Sequence, residues 1–250
     1  VHVFDSLSTD HTVEIAQAAG ASVIQRPFDG YASQRNAALR TCPFKYPWLL
    51  ILDADERLPD NAVPVIECAI KSAHSDVAGF RLRRRDFFQG CWLKHAAITP
   101  FYLRLVRHAR AHYEREINEV MMVNGAVVDA PGYFDHYPFA KGVAYWIDKH
   151  NVYSTMEALQ AMRERSLGVK FSFAKALFSR EISVRRLHQK GLFYRMPGRP
   201  FIKFLYMILI RRSFLDGRAG ITYSVLQSVY EYFIVLKQKA EGAPDRRGGI

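Results

Sequence analysis

The chain has 250 residues, 49% of them apolar and 24% charged, with a formal charge of +11. That length and balance supply a sizeable core and exclude a disulfide-stapled mini-protein and global disorder. No apolar run is long enough for a confident membrane span, the start shows no basic-then-apolar signal segment, and the three cysteines (Cys42, Cys68, Cys91) lie far apart, match no zinc or redox spacing and fit a reducing compartment.

Residues 1–4 form a short β-branched and aromatic run that ends in the polar cluster Asp5-Ser6-Leu7-Ser8-Thr9-Asp10. A helix pattern follows, with Val13, Ile15, Ala16 and Ala19 as its apolar members, Thr9 or Asp10 as N-cap, and Gly20 where the helix ends. Residues 21–25 read as a strand, 31–39 as an alanine-rich helix, and 48–52 as a continuous apolar strand buried on both faces. The last of these runs into Asp53-Ala54-Asp55-Glu56. A helix over 60–72 and a strand over 77–83 complete an alternation that implies a parallel sheet with helices on its faces. Ligands bind such sheets at the carboxyl ends of the strands. Asp5 and the pair Asp53 and Asp55 each follow a strand, so the two acidic clusters are expected at one edge.

Two carboxylates one residue apart past a strand end can hold a hard divalent cation, Mg²⁺ or Mn²⁺, with positions left open for phosphate oxygens. The competing reading of Asp53 and Asp55 is a solvated turn. What favours the metal is context: an apolar strand before the cluster and a second strand-end aspartate upstream. No phosphate-binding Gly-rich loop and no nucleophile triad is legible in the chain.

The segments Asp5 to Asp10, Gln34-Arg35-Asn36 and Trp48 to Glu56 resemble the nucleotide-sugar half of family 2 glycosyltransferases. The resemblance continues through Arg104-Leu105, Ile117-Asn118-Glu119, His136, Lys149-x-Asn151-x-Tyr153-Ser154 and Phe214-Leu-Asp-Gly-Arg-Ala-Gly220, in the order of a subgroup that includes lipopolysaccharide core β-glucosyltransferases. It implies an α/β protein of GT-A fold, with a Rossmann-like, mostly parallel sheet. By the same resemblance Asp5, with Ser6 beside it, contacts the uracil or ribose of a UDP-sugar, and Arg35 sits near the nucleotide or its phosphates. Asp53 contacts ribose or donor sugar and joins Asp55, the principal metal ligand. Glu119 is the general base, set against the plainer reading of a surface glutamate near Glu114 and Glu116. His136 reads equally as a packed histidine. Two departures stand out. A strand and helix that relatives carry before the position of Val1 are missing, so the chain reads as N-terminally truncated or rearranged. Asn118 stands where relatives often have His.

The mechanism implied is one inverting displacement. Glu119 takes the acceptor hydroxyl's proton, the hydroxyl attacks C1, and metal on Asp55 neutralises the leaving diphosphate, giving a β-glycoside. The basic and aromatic stretch 83–95 suits acceptor recognition, with Trp92, Lys94 and His95 as candidates and Phe87 and Phe88 equally readable as core. Ala96 and Ala97 replace glycines that relatives often have there.

Charge divides the chain. Residues 1–140 carry 15 basic and 16 acidic side chains; residues 141–250 carry 20 and 8. Between Arg163 and Arg212 there are 13 basic residues against Glu164 and Glu181, interleaved with aromatics, and the apolar stretch 201–210 is broken by Lys203. A basic amphipathic helix on an anionic membrane surface fits this pattern. A second helix over 221–236 places Val225, Leu226, Val229, Phe233 and Leu236 on one face, for a membrane or for the core. The expected division is a catalytic domain over 1–160, a basic helical extension over 161–242 and a flexible tail over 243–250. The expected setting is the cytoplasmic face of a bacterial inner membrane, with a lipid-linked or lipopolysaccharide-type glycan as acceptor. Alternatives are transfer to polyprenyl phosphate, a catalytically silent scaffold, or a basic RNA-binding module. The last has no RNA-recognition motif or zinc finger behind it, so nucleic acid is not expected as a partner.

Overall fold

The computed structural model describes residues 1–114, 119–168 and 170–241. They form two compact units: residues 1–84 with 100–135, and residues 85–99 with the chain from 136 onward.

In the first unit, β1 (His2–Asp5) pairs in parallel with β2 (Ser22–Gln25), in register from His2 with Ser22 to Asp5 with Gln25. Between them runs α1 (Thr12–Ala18). Its N-cap position is His11, which makes no capping bond; Asp10 instead accepts from the Thr12 backbone N–H (3.0 Å) and hydroxyl (2.5 Å). Gly20 has φ +79°, the left-handed turn anticipated at that helix end. The helix α2 (Tyr31–Thr41) buries Ala32, Gln34 and Ala37.

The larger sheet runs in the order β3 (Trp48–Leu50), β7 (Phe101–Arg107), β5 (Val77–Phe88), β10 (Ala126–His136), β4 (Glu56–Arg57). Helix α3 (Ala62–Lys71) lies between β4 and β5 in the chain. Both β3 and β5 pair antiparallel with β7. They therefore run in one direction on either side of it, as a strand–helix–strand crossover requires. β7 is the element that local pattern missed. It interleaves the expected parallel run, so the sheet is mixed. β3 is shorter than expected and half-buried, because it pairs with β7 alone at one end of that order. β8 (Ala111–Glu114) and β9 (Val120–Val123) pair antiparallel as a separate two-stranded sheet. The core gathers Val77, Phe80, Leu82, Leu105, Ala130 and Phe134, with Trp48, Leu50, Ile66 and Ile70 packed on it.

In the second unit the end of β5 turns back on β6 (Cys91–Trp92), with Phe87 opposite Trp92. The helices α4 (Gly142–Ser166), α5 (Phe173–Phe178), α6 (Ile182–Phe193) and α7 (Arg199–Leu205) follow. A π turn (Tyr206–Ile210), a 3-10 turn (Ser213–Asp216) and the long α8 (Gly217–Glu241) complete it. Phe88, Leu93, Ala96, Ala97, Met207 and Ala219 form its core cluster. α8 is helical where 221–236 was expected to be, but Val225, Val229 and Leu236 face solvent, while Ser224, Glu231 and Ile234 are buried. Nor is the basic run a uniform solvated face. Arg199 is buried, its guanidinium donating to Tyr194 O (2.9 Å) and Gln238 Oε1 (3.1 Å) with Glu231 at 3.5 Å. The tail over 243–250 lies outside the described residues.

Candidate functional site

The strand ends of the first unit are joined by three consecutive residues of α2. Gln34 donates to Ser6 Oγ (3.0 Å), Arg35 to Asp53 Oδ1 (2.6 Å), and Asn36 exchanges two 2.8 Å bonds with the backbone of Tyr113. Ser6, next to Asp5, and Asp53 are thus tied to one helix turn, although β1 and β3 belong to different sheets.

Asp5 is buried at the end of β1, where Ser8 N and Gln25 Nε2 each donate to it at 2.9 Å. Burial opposes its ionisation, but the hydrogen bonds from Gln25 and Ser8 outweigh it and hold the carboxyl below its usual value. Gln34 is itself fixed by Arg26 (2.8 Å), whose guanidinium also grips Asp29; that bond, with one from Ser33, lowers Asp29 to about 2.

Arg35 is the densest node. Besides Asp53 it meets Glu119 Oε1 through Nε at 3.3 Å and lies 5.3 Å over the Tyr113 ring. Burial disfavours its charge, yet Asp53, Tyr113 and Glu119 together raise its pKa further. The other oxygen of Asp53 accepts from Arg104 Nη2 (3.0 Å), which also bonds Glu56. Glu56 closes the turn, its backbone N–H donating to Asp53 O (2.9 Å) and its carboxylate accepting from Asp53 N (3.0 Å). Burial raises the Glu56 pKa against the pull of Arg104. Glu56, Arg104 and Tyr113 as partners of Asp53 and Arg35 were not read from sequence as one cluster. They lie up to 78 residues from Arg35; Glu56 and Arg104 stand in motifs already noted, but nothing local marks Tyr113 or links the three.

Asp55 is half-buried in that same turn. Among the described residues no three His, Cys, Asp or Glu side chains converge as a ready metal cage. The donor set still suits Mg²⁺ or Mn²⁺ in one form. Such ions take one or two carboxylates and complete their shell with phosphate oxygens and water. Asp55 can supply that carboxylate. Asp53 is poorly suited, because both its oxygens face guanidinium groups whose positive charge opposes a cation. Glu119 is 20% exposed and sits at Arg35 rather than out in solvent. Residues 115–118, with Glu116, Ile117 and Asn118, lie outside the described residues.

In the second unit, Lys94 Nζ lies 5.8 Å and the Arg85 guanidinium 5.5 Å over the Trp92 ring, so an aromatic ring and two cations stand together. Phe88 is core, whereas Phe87 stacks on Tyr137 (5.3 Å) beside a cleft of about 130 Å³. The backbone N–H groups of His95 and Ala96 donate to Asp216 Oδ2 at 2.8 and 2.7 Å. His136 Nδ1 lies 2.6 Å from the buried Asp86. In the 149–154 motif, Asn151 and Ser154 surround Lys237 Nζ of α8 at 2.5 to 2.8 Å, a structural clamp between α4 and α8.

Residues 1–128, more than half of the chain, match the family model described as Glycosyl transferase family 2. The chain is similar to an uncharacterized glycosyltransferase of Rickettsia bellii, 42% identical over 76 residues, 30% of this chain and 25% of that relative. It is also similar to one of Rickettsia typhi, 28% identical over 238 residues, 90% of this chain and 73% of that relative. The first match thus spans about a quarter of its relative's length. The mixed sheet with flanking helices, followed by a helical region, agrees with the GT-A fold of that family.

Proposed function

This chain belongs to glycosyl transferase family 2, and from that we propose that it moves a sugar from a UDP-sugar to a lipid-linked or lipopolysaccharide-type glycan, with inversion to a β-linkage. The observation that carries the reading is the Arg35 guanidinium, shared between Asp53 at 2.6 Å and Glu119 at 3.3 Å. One cation there orders both a donor-side and an acceptor-side carboxylate.

In this reading Asp5 and Ser6 hold the uracil and ribose, as acceptors already oriented by Gln25 and Gln34. Arg35 and Arg104 orient Asp53 toward the donor sugar and bring positive charge to the diphosphate side. Glu119 removes the proton from the acceptor hydroxyl. That oxygen forms its bond to C1 as the bond from C1 to the diphosphate oxygen breaks on the opposite face, and the electron pair leaves on UDP. Asp55 would hold Mg²⁺ or Mn²⁺, which would supply positive charge to offset the charge of the leaving diphosphate. Trp92 offers an aromatic face to an acceptor sugar, and Lys94 and His95 offer contacts to its anionic substituents. The basic extension holds the enzyme at the inner face of a bacterial inner membrane, where such an acceptor resides; no helix among the described residues is long and apolar enough to cross one.

The test is calorimetric titration of UDP into the full chain with Mn²⁺, with Mg²⁺ and with chelator. Metal-strengthened UDP binding is expected. UDP binding that is absent in every condition overturns the reading.

A further inference from the structure

The chain between α7 and α8 makes a short hook with both of its ends fastened to the same three residues. At one end Arg211 donates from Nε to His95 O (3.0 Å) and from Nη2 to Ala97 O (2.6 Å). At the other, Asp216, only 8% exposed, accepts from the N–H groups of His95 and Ala96. The hook's base is rigid. Ser213 is buried, its hydroxyl 2.7 Å from that of Ser224 on α8. Gly220 sits so close that a Cβ there would lie 2.0 Å from Ser213 O, so only glycine lets α8 approach.

The hook's tip is built differently. Ile210 is 72% exposed, Phe214 47% and Leu215 56%. Arg212, between them, is exposed and held at φ +56°, a left-handed conformation that costs a non-glycine residue energy and is kept where the surroundings impose it. A π turn leads into it, the kind of helix irregularity found most often at functional sites. Three apolar side chains held out by a strained, doubly anchored turn are not a side effect of core packing.

We propose that the side chains of Ile210, Phe214 and Leu215 insert into the headgroup region of an anionic bilayer and thereby fix residues 92–97 at the membrane surface. This rests on the reading above, in which Trp92, Lys94 and His95 meet the acceptor. Charge decides the occupant. Arg212 and Arg218 border the tip and are exposed, and residues 141–250 carry 20 basic against 8 acidic side chains. An anionic lipid surface complements that excess, whereas a second copy of the chain repeats it. Insertion of the tip then acts on the acceptor segment through four hydrogen bonds, without a large movement.

The experiment is hydrogen exchange on the full chain, with vesicles of phosphatidylcholine alone and of phosphatidylcholine with phosphatidylglycerol. With the anionic vesicles, exchange at 210–216 and at 93–97 slows together. The double variant Phe214→Ser, Leu215→Ser changes only exposed side chains; it keeps its circular dichroism and UDP binding, and its vesicle partition falls by about tenfold or more. Asp216→Ala, which removes the acceptor of the His95 and Ala96 N–H groups, still binds vesicles, but those amides lose their protection. Slowed exchange elsewhere with 210–216 unchanged overturns the proposal. So does lipid-free self-association of the wild type that the double variant abolishes, which assigns the tip to a second copy. Failure of UDP binding alone removes the enzymatic reading and leaves the vesicle result standing.

Discussion

Replacing Arg35 with Ala strips two carboxylates of a cation at once. Asp53 keeps Arg104 at 3.0 Å, so its loss is partial. Glu119 loses the Arg35 guanidinium at 3.3 Å, with its side chain 20% exposed. A hydrogen bond to a charged group contributes about 1.5–3 kcal/mol. Arg104 compensates one contact, and length and exposure weaken the other, so the net cost is about 2 kcal/mol. In a chain of this size that lowers the melting temperature by about 4–8 °C. Differential scanning fluorimetry measures it directly. Arg35→Lys recovers little, because an ammonium cannot present the fork that spans Asp53 and Glu119. The double variant Arg35→Ala, Glu119→Gln discriminates further. Gln removes the charge that Ala orphaned, so the second change restores about 1 kcal/mol of stability while transfer stays slow. Unchanged melting in Arg35→Ala, with unchanged UDP affinity, refutes the assignment of Arg35 as the shared node.

Asp55→Ala should abolish the metal-dependent part of UDP binding while leaving the fold intact, because Asp55 is a half-buried turn residue outside the core cluster; calorimetry with and without chelator reads this. Glu119→Gln should slow transfer by about a hundredfold or more while changing UDP-sugar affinity by only a factor of a few. An original rate in that variant moves the base elsewhere. At alkaline pH, burial, with Glu157 and Glu231 nearby, raises Tyr230 to about 12 from an ordinary 10.0. Its folded value exceeds its unfolded value, so the stability linked to its protonation is complete below pH 10 and is lost as pH rises toward about 12. Melting curves between pH 9 and about 12 should show the loss, and Tyr230→Phe should flatten it.

Elements built from local pattern were legible. Residues 31–39 give α2, 21–25 give β2, and 60–72 contain α3, since alanine periodicity, β-branching and turn residues act over a few positions. What was not legible is what depends on distant partners. β7 enters the sheet by pairing with β3 more than 50 residues earlier, and nothing inside Phe101–Arg107 states that. Asp53 reads as a metal ligand by position, yet Arg35 and Arg104 fill its oxygens. Arg211 reads as one more membrane-facing cation, yet it binds the carbonyls of His95 and Ala97. A vesicle experiment that neutralised Arg211 would therefore disturb the acceptor segment as well as the surface charge, and Arg212 is the cleaner choice. Val225, Val229 and Leu236 share the face that periodicity gave them. Whether that face turns inward is a tertiary matter, and here it is split: those three are exposed, while Leu226 of the same set packs on the core and Phe233 is half-buried.

Successive residues of an α-helix point about 100° apart, so Gln34, Arg35 and Asn36 fan across more than half the circumference of α2. They reach Ser6, Asp53 and Tyr113, on three separate stretches of chain. The three stretches are consequently registered to one another through a single helical turn, in addition to the direct pairing of β3 with β7. A one-residue insertion ahead of Gln34 would rotate the whole fan by that same angle and uncouple all three together. Drift in this helix is thus tolerated in side chains on its solvent face and hardly at all in its phase, much as a key may be re-handled but not recut by one notch.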